Sequence, residues 1–217
     1  APSFGGITTK NCQMAFVAMT REFPTPSNAQ NAPISFGGVD ISIPMKRTFA
    51  LVKEYYKKRY EALPGQMGIH LLNPPTLSGL QILARPQRED LANRKIFHYI
   101  GYGLRRITHE GLCFYSEKIH DYEQVSFDDL HATLRSHSLL ILDADYAGLF
   151  ANYLETQAEI QKEAPSDWIF FGAVDEKEQI PDEAHLPKDP LSSCLLDPAS
   201  FAILVFRILH FFRSHYS

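Results

Sequence analysis

The sequence predicts a doubly wound α/β domain on a mostly parallel sheet with helices on both faces. Three observations lead there. Short, continuously apolar segments alternate with longer amphipathic ones, and continuous apolarity marks strands buried on both faces, as parallel sheets require. Several apolar segments run through a brief turn into a helical pattern, the βα order of a crossover sheet. The 217 residues show no internal repeat or low-complexity tract, and a chain of that length builds one substantial core. We expect a single domain over residues 1–217.

The elements follow in order. Residues 12–19, CQMAFVAM, read as a first buried strand, and a Pro/Ser/Asn/Gln-rich loop follows. The clearest helix spans residues 43–63. Its apolar positions Met45, Phe49, Val52, Tyr56, Tyr60 and Leu63 step by three or four residues, which keeps them on one stripe. Ser42 is placed to cap it, and Pro44 suits its first turn. Burying six such side chains contributes on the order of 10 kcal/mol before conformational entropy is subtracted. The opposite face carries Lys46, Lys53, Lys57 and Lys58. Such a face is ordinarily solvated; Lys53, Lys57 and Lys58 are the candidates for a partner surface.

Residues 67–72 form a second strand, and a shorter helix begins after Pro75. Residues 95–103 are a third strand, and 112–117 a short one forming a small excursion with its neighbours. Ser126 and Asp129 have capping-box spacing at the head of a helix. Residues 138–144 are another apolar strand with a helix over 146–164 at once behind it. Residues 167–175 give the next strand, and 176–190 a polar, proline-punctuated loop. A last helix covers residues 199–212, with Asp197 as cap and Pro198 in its first turn. The chain starts without Met and stops within a helical pattern, which suggests a piece of something longer.

Composition bounds the function. A formal charge of −4 gives no general reason to expect nucleic acid or an anionic membrane. The most apolar stretch, residues 201–212, is interrupted by Arg207 and His210 and is too short to span a bilayer, and the opening residues lack the apolar centre of a signal peptide. Cys12, Cys113 and Cys194 are odd in number and widely spaced, which fits reduced thiols in a cytosolic or nuclear protein rather than a disulfide framework.

In open α/β sheets functional groups gather beyond the carboxyl ends of the strands. Two strand ends qualify: Tyr102 between Gly101 and Gly103, and Asp143-Ala144-Asp145 just before a helix. Neighbouring strands would place both turns on one crevice. Acyl transfer there needs a nucleophile within hydrogen-bond reach of a base. A phenol is a poor base at neutral pH, and alanine is inert. Asp143 and Asp145 could form an acid/base pair, but an Asp between strand and helix more simply satisfies free backbone N–H groups and suits the helix dipole. The histidines His98, His109 and His120 match no tetrahedral spacing with Cys113, and no CxxC pair exists, so we expect no metal or other cofactor. Gly101 and Gly103 lack the third glycine and the helix of a nucleotide fingerprint; their expected use is a sharp turn off the strand. Cys113 and Cys194 read as packing residues.

These segments carry a resemblance. IFHYIGYG (96–103) resembles the FHYNGHG strand of the raptor family, and LDADYAG (142–148) resembles its YDCSxAG. KRTFALVKEYYKKRYEAL is similar to that family's first long helix, VSFDDLHATLRSHSLLILDAD to the stretch leading into the second motif, and IPDEAHLPKDPLSSCLLDPASFAILVFRIL to a later segment. The resemblance keeps order and spacing over nearly the whole chain and covers the family's N-terminal caspase-like domain alone. It implies a caspase-like three-layer sandwich in which a His and a Cys would stand on the two strand ends. Carried over, the His position is Tyr102. The Cys position is Ala144 counted back from Gly148, or Asp145 on metacaspase-style spacing. Neither is a thiol. Losing nucleophile or base costs up to about a millionfold in rate, so the resemblance implies a pseudo-peptidase and not an enzyme.

It also implies a scaffold subunit of target-of-rapamycin complex 1, with the kinase and its protein substrates as partners. The implied location is cytoplasmic, with recruitment to lysosomal or vacuolar membranes through partners and no direct membrane insertion. Two rivals remain: a peptidase using unusual residues such as Asp143 and Asp145, and a degenerate caspase-like adaptor outside kinase signalling.

Overall fold

The computed structural model describes residues 14–19, 35–36, 39–40, 45–63, 68–72, 74–85, 94–101, 107–119, 121–135, 138–161, 168–181, 186–187 and 189–215. Its centre is a five-stranded sheet of β1 (Met14–Met19), β4 (Gly68–Leu72), β5 (Lys95–Ile100), β8 (Ser138–Asp143) and β9 (Ile169–Gly172), ordered β4-β1-β5-β8-β9. Every pairing in it is parallel, so all five carboxyl ends emerge at one edge. Two small antiparallel pairs stand apart: β2 (Ser35–Phe36) with β3 (Val39–Asp40), and β6 (Gly111–Ser116) with β7 (Asp121–Ser126).

Strand alternation divides the core in two. Phe97 and Tyr99 of β5 and Leu140 and Leu142 of β8 point to one face, where they meet α2 (Leu77–Ala84), α3 (Phe127–Leu134), α4 (Leu149–Gln161) and the β6–β7 hairpin. Ile96 and Ile100, with Ile141, point to the other, against α1 (Met45–Glu61) and α5 (Pro190–Leu196). α6 (Pro198–His215) packs on α5. Both faces are therefore covered over the central strands, the condition that made them continuously apolar, while Ile169 and Phe171 on the edge strand β9 are exposed.

Local chemistry sets the ends. Ser126 caps α3, accepting from the Asp129 amide at 3.0 Å as the capping motif requires, and its hydroxyl donates to the Asp129 carboxylate at 2.8 Å. Thr76 caps α2 through the Gly79 amide, 3.0 Å away. Lys95, buried in a strand, donates to the Leu134 carbonyl at the end of α3, where a cation suits the dipole. On α1, Val52, Tyr56 and Tyr60 are buried as the stripe requires, but Leu63 lies beyond the helix end and is 36% exposed. Ser42, Pro44 and the side chains of Met45 and Phe49 fall outside the described residues. Asp197 stands before α6, and its carboxylate accepts from Arg59, tying α1 to the α5–α6 corner. Among the described residues no helix is long and apolar enough to cross a membrane.

Four elements depart from the sequence expectations, β2 and β3 among them, since no strand was read between residues 20 and 42. β7 was not anticipated, because DYEQVS is a polar strand visible only through its pairing with β6. α5 begins where the expected loop ends, over residues to which no element was assigned.

Candidate functional site

β5 and β8 are hydrogen-bonded neighbours, with Ile100 opposite Asp143, so the two strand ends do share an edge. The Gly101 amide donates to the Asp143 carbonyl at 3.0 Å. A Cβ on Gly101 would stand 2.9 Å from the Ala144 Cβ and 2.6 Å from the Tyr99 ring. Close packing thus requires a glycine here, and its backbone is not in the left-handed region. Ala144 is 4% exposed and belongs to the apolar core. Tyr102, Gly103 and His120 lie outside the described residues.

After Ala144 the chain is pinned to the loop that follows β9. The Tyr146 amide donates to the Glu178 carbonyl at 2.9 Å, the Gly148 amide to Val174 at 3.0 Å, and the Ile180 amide to Asp145 Oδ1 at 2.8 Å. Tyr146 holds φ at 60°, a costly conformation for a non-glycine residue, and its hydroxyl accepts from Gln179 at 2.6 Å. A Cβ on Gly148 would come within 2.4 Å of the Glu176 nitrogen, so only glycine lets the two backbones touch. This fastening delays the helix until Leu149. Asp145 therefore spends its carboxylate on a backbone amide. An open groove of about 460 Å³ lies beside it, floored by Ile107 and Leu149 and rimmed by Tyr146, Glu176 and Lys177.

The polar chemistry is underneath, on the α1 face. His98 is wholly buried in the middle of β5. Its Nδ1 meets the Tyr60 hydroxyl at 2.7 Å and its Nε2 the Ser192 hydroxyl at 2.8 Å. Asp143 Oδ2 accepts from Ser192 twice, from Oγ at 2.5 Å and from the amide at 2.7 Å. Since the carboxylate takes the only hydroxyl proton of Ser192, Oγ must accept from His98 Nε2–H, and Nδ1 must accept from Tyr60. Burial lowers the imidazole pKa to about 3, so it is neutral and carries one proton, as this chain demands. Beside it the Tyr56 hydroxyl donates to Asp189 at the head of α5, with its pKa pushed well up by burial first and by Asp189 next.

Ser192, His98 and Asp143 are the residue types of a hydrolytic triad in the wrong order. Catalysis needs the imidazole between hydroxyl and carboxylate so that it can take the hydroxyl proton. Here the hydroxyl lies between, gives its proton to the carboxylate, and is 1% exposed. The arrangement can hold α5 to the sheet; it cannot activate Ser192. Asp143 does bond a helix amide, but that of α5, 49 residues on, and not of the helix behind it.

The remaining candidates do not converge. Cys113 is buried in β6, where its carbonyl accepts from Tyr99 at 2.9 Å, and Cys194 is exposed on α5. Lys53, Lys57 and Lys58 are exposed on α1, and two are partly neutralised within the helix: Lys57 lies 3.8 Å from Glu61 and Lys58 3.6 Å from Glu54. Sequence reasoning missed Ser192 altogether and weighed His98 only as a metal ligand. The available signal was a lone polar residue on a buried strand face between Ile96 and Ile100.

Comparison with known proteins gives a consistent result. The family model described as "Raptor N-terminal CASPase like domain" matches residues 8–154. A rice protein named Regulatory-associated protein of TOR 2 is 24% identical over 151 residues, covering 67% of this chain and 11% of that protein. The fission yeast Target of rapamycin complex 1 subunit mip1 is 24% identical over 180 residues, 75% of this chain and 14% of its own. In structure, the chain is similar to crystalline Chaetomium thermophilum Raptor with a TM-score of 0.76 and 20% identity, over 91% of this chain and 18% of that one. It thus spans a small fraction of each relative's length.

Proposed function

We propose a scaffold role from one premise: this chain belongs to the raptor N-terminal caspase-like domain family. Its fold is the caspase-like three-layer sandwich, a mostly parallel sheet between helices. In our reading the domain is a pseudo-peptidase that helps assemble a target-of-rapamycin kinase complex and recruit protein substrates in growth and nutrient signalling. It would act in the cytoplasm and reach lysosomal or vacuolar membranes only through its partners.

One observation carries the non-enzymatic part. Where the two strand ends meet, Ala144 is buried against Gly101, and the flanking Asp143 and Asp145 are both committed to backbone amides. No described side chain at that edge is placed to attack a carbonyl. The names of the rice and fission yeast relatives, both tied to TOR, support the kinase partnership. Lys53, Lys57 and Lys58 on α1 remain our candidates for a contact surface, and Tyr102 and Ala144 for the vacated His and Cys positions.

Affinity purification of the full-length protein with mass spectrometry tests the scaffold role. We expect a kinase of the target-of-rapamycin type to co-purify. A purification that returns other signalling proteins and no such kinase overturns the assignment in favour of an unrelated adaptor.

A further inference from the structure

Asp143 is 0% exposed, and its two oxygens are treated unequally. Oδ2 takes both Ser192 bonds, whereas Oδ1 has no hydrogen-bond partner among the described residues. The groups that face the carboxylate can be named element by element. From α5 come Ser192, the Leu191 amide and, through Tyr56, Asp189; from α1 come Tyr56 and, through His98, Tyr60; from β5 comes His98, which is neutral. β9 brings no titratable residue. None of these groups is a cation. Among the described residues the charge is offset only by donors at the head of a short helix, and a buried charge so weakly matched is costly.

Protonating Oδ1 removes that charge and leaves Oδ2 free to accept both bonds from Ser192. The grip on α5 survives, and the desolvation cost does not. We propose that Asp143 is a proton-dependent fastener of α5, holding the helix more firmly as an acid than as a carboxylate. Because α5 runs directly into α6, the fastener also sets how firmly that corner is held.

The sign is opposite to that of a salt-bridged carboxylate. Burial raises the folded carboxyl from an ordinary 3.8 to about 6, with the Ser192 and Leu191 donors working against it. The folded state therefore binds the proton more tightly than the unfolded one. Stability from this group grows as pH falls from above 6 toward 3.8, and is lost again as pH rises through 6.

Hydrogen exchange on the intact chain tests this, with amide protection in α5 corrected for intrinsic exchange and compared between wild type and Asp143→Asn. In wild type, protection should increase roughly tenfold from pH 7 to pH 5 relative to the variant. Equal pH dependence in the two proteins, or weaker protection of wild type at pH 5, overturns the proposal. Should Asp143→Asn fail to fold, a carboxyl-carbon titration of wild type decides. A midpoint near 6 supports the fastener, and one at or below the ordinary 3.8 refutes it.

Discussion

The carboxyl edge of the sheet and the layer beneath α5 invert each other. The edge is where an α/β enzyme keeps its reactive groups, yet here Gly101 and Ala144 close it with the smallest side chains available. The layer beneath α5 is where an α/β protein keeps packing residues, yet it holds two tyrosines, a histidine, a serine and two carboxylates. Apart from Asp143 Oδ1 the polar groups are hydrogen-bonded, and all are unexposed and ordered so that protons run toward Asp143. Residue types therefore say little about catalysis until proton direction and access are known. In this molecule the reactive vocabulary is used for adhesion.

The largest effects should come from the edge itself. Gly148→Leu puts a Cβ 2.4 Å from the Glu176 nitrogen and must push two backbones apart; we expect a loss of more than about 3 kcal/mol, read as a failure to give a cooperative thermal transition. A well-folded Gly148→Leu protein would break the claim that this contact is obligatory. The buried layer comes next. Ser192→Ala strands the His98 Nε2–H and one Asp143 lone pair in the interior, which costs about 2–4 kcal/mol by denaturant titration. A loss under about 0.5 kcal/mol would mean that the chain of bonds is not formed in solution. Tyr56→Phe takes the hydroxyl from Asp189 and should cost about 1–3 kcal/mol in the same assay.

Smaller effects sharpen the contrast. Asp145→Asn keeps an acceptor for the Ile180 amide, so stability should shift by no more than about 1 kcal/mol. If Asp145 were catalytic, the same change would abolish a measurable hydrolysis. Ala144→Cys restores a thiol at one candidate position and should yield no cleavage of a peptide library, because a thiol without a general base remains inactive. Turnover by that variant would show that Tyr102 or another group serves as base and would end the pseudo-peptidase reading.

Much of the frame was legible before any coordinate. The parallel sheet follows from apolar runs such as SLLIL, which have no polar side to turn toward water. The head of α3 was legible because Ser126 and Asp129 interact three residues apart. What could not be read is whatever depends on distant pairing. DYEQVS is a strand only because LCFYS lies beside it, and Ser192 acquires its role from His98, 94 positions earlier. Gly148 could be named but not explained, since the backbone that crowds it belongs to a later loop. The closed edge was visible as an absent thiol and imidazole; the polar layer, built from common residues at long range, left only the odd histidine as a trace.

That long separation has a consequence for biosynthesis. A ribosome releases β1, β5 and β8 well before α5, so the nascent sheet can assemble with His98 and Asp143 already on its inner face and Ser192 not yet made. Until α5 arrives, those two groups favour water over burial, and the half-built sheet stays open on that side. Completion of the sandwich thus waits on its last two helices, and a chain cut short before Asp189 should remain a loose, chaperone-dependent intermediate.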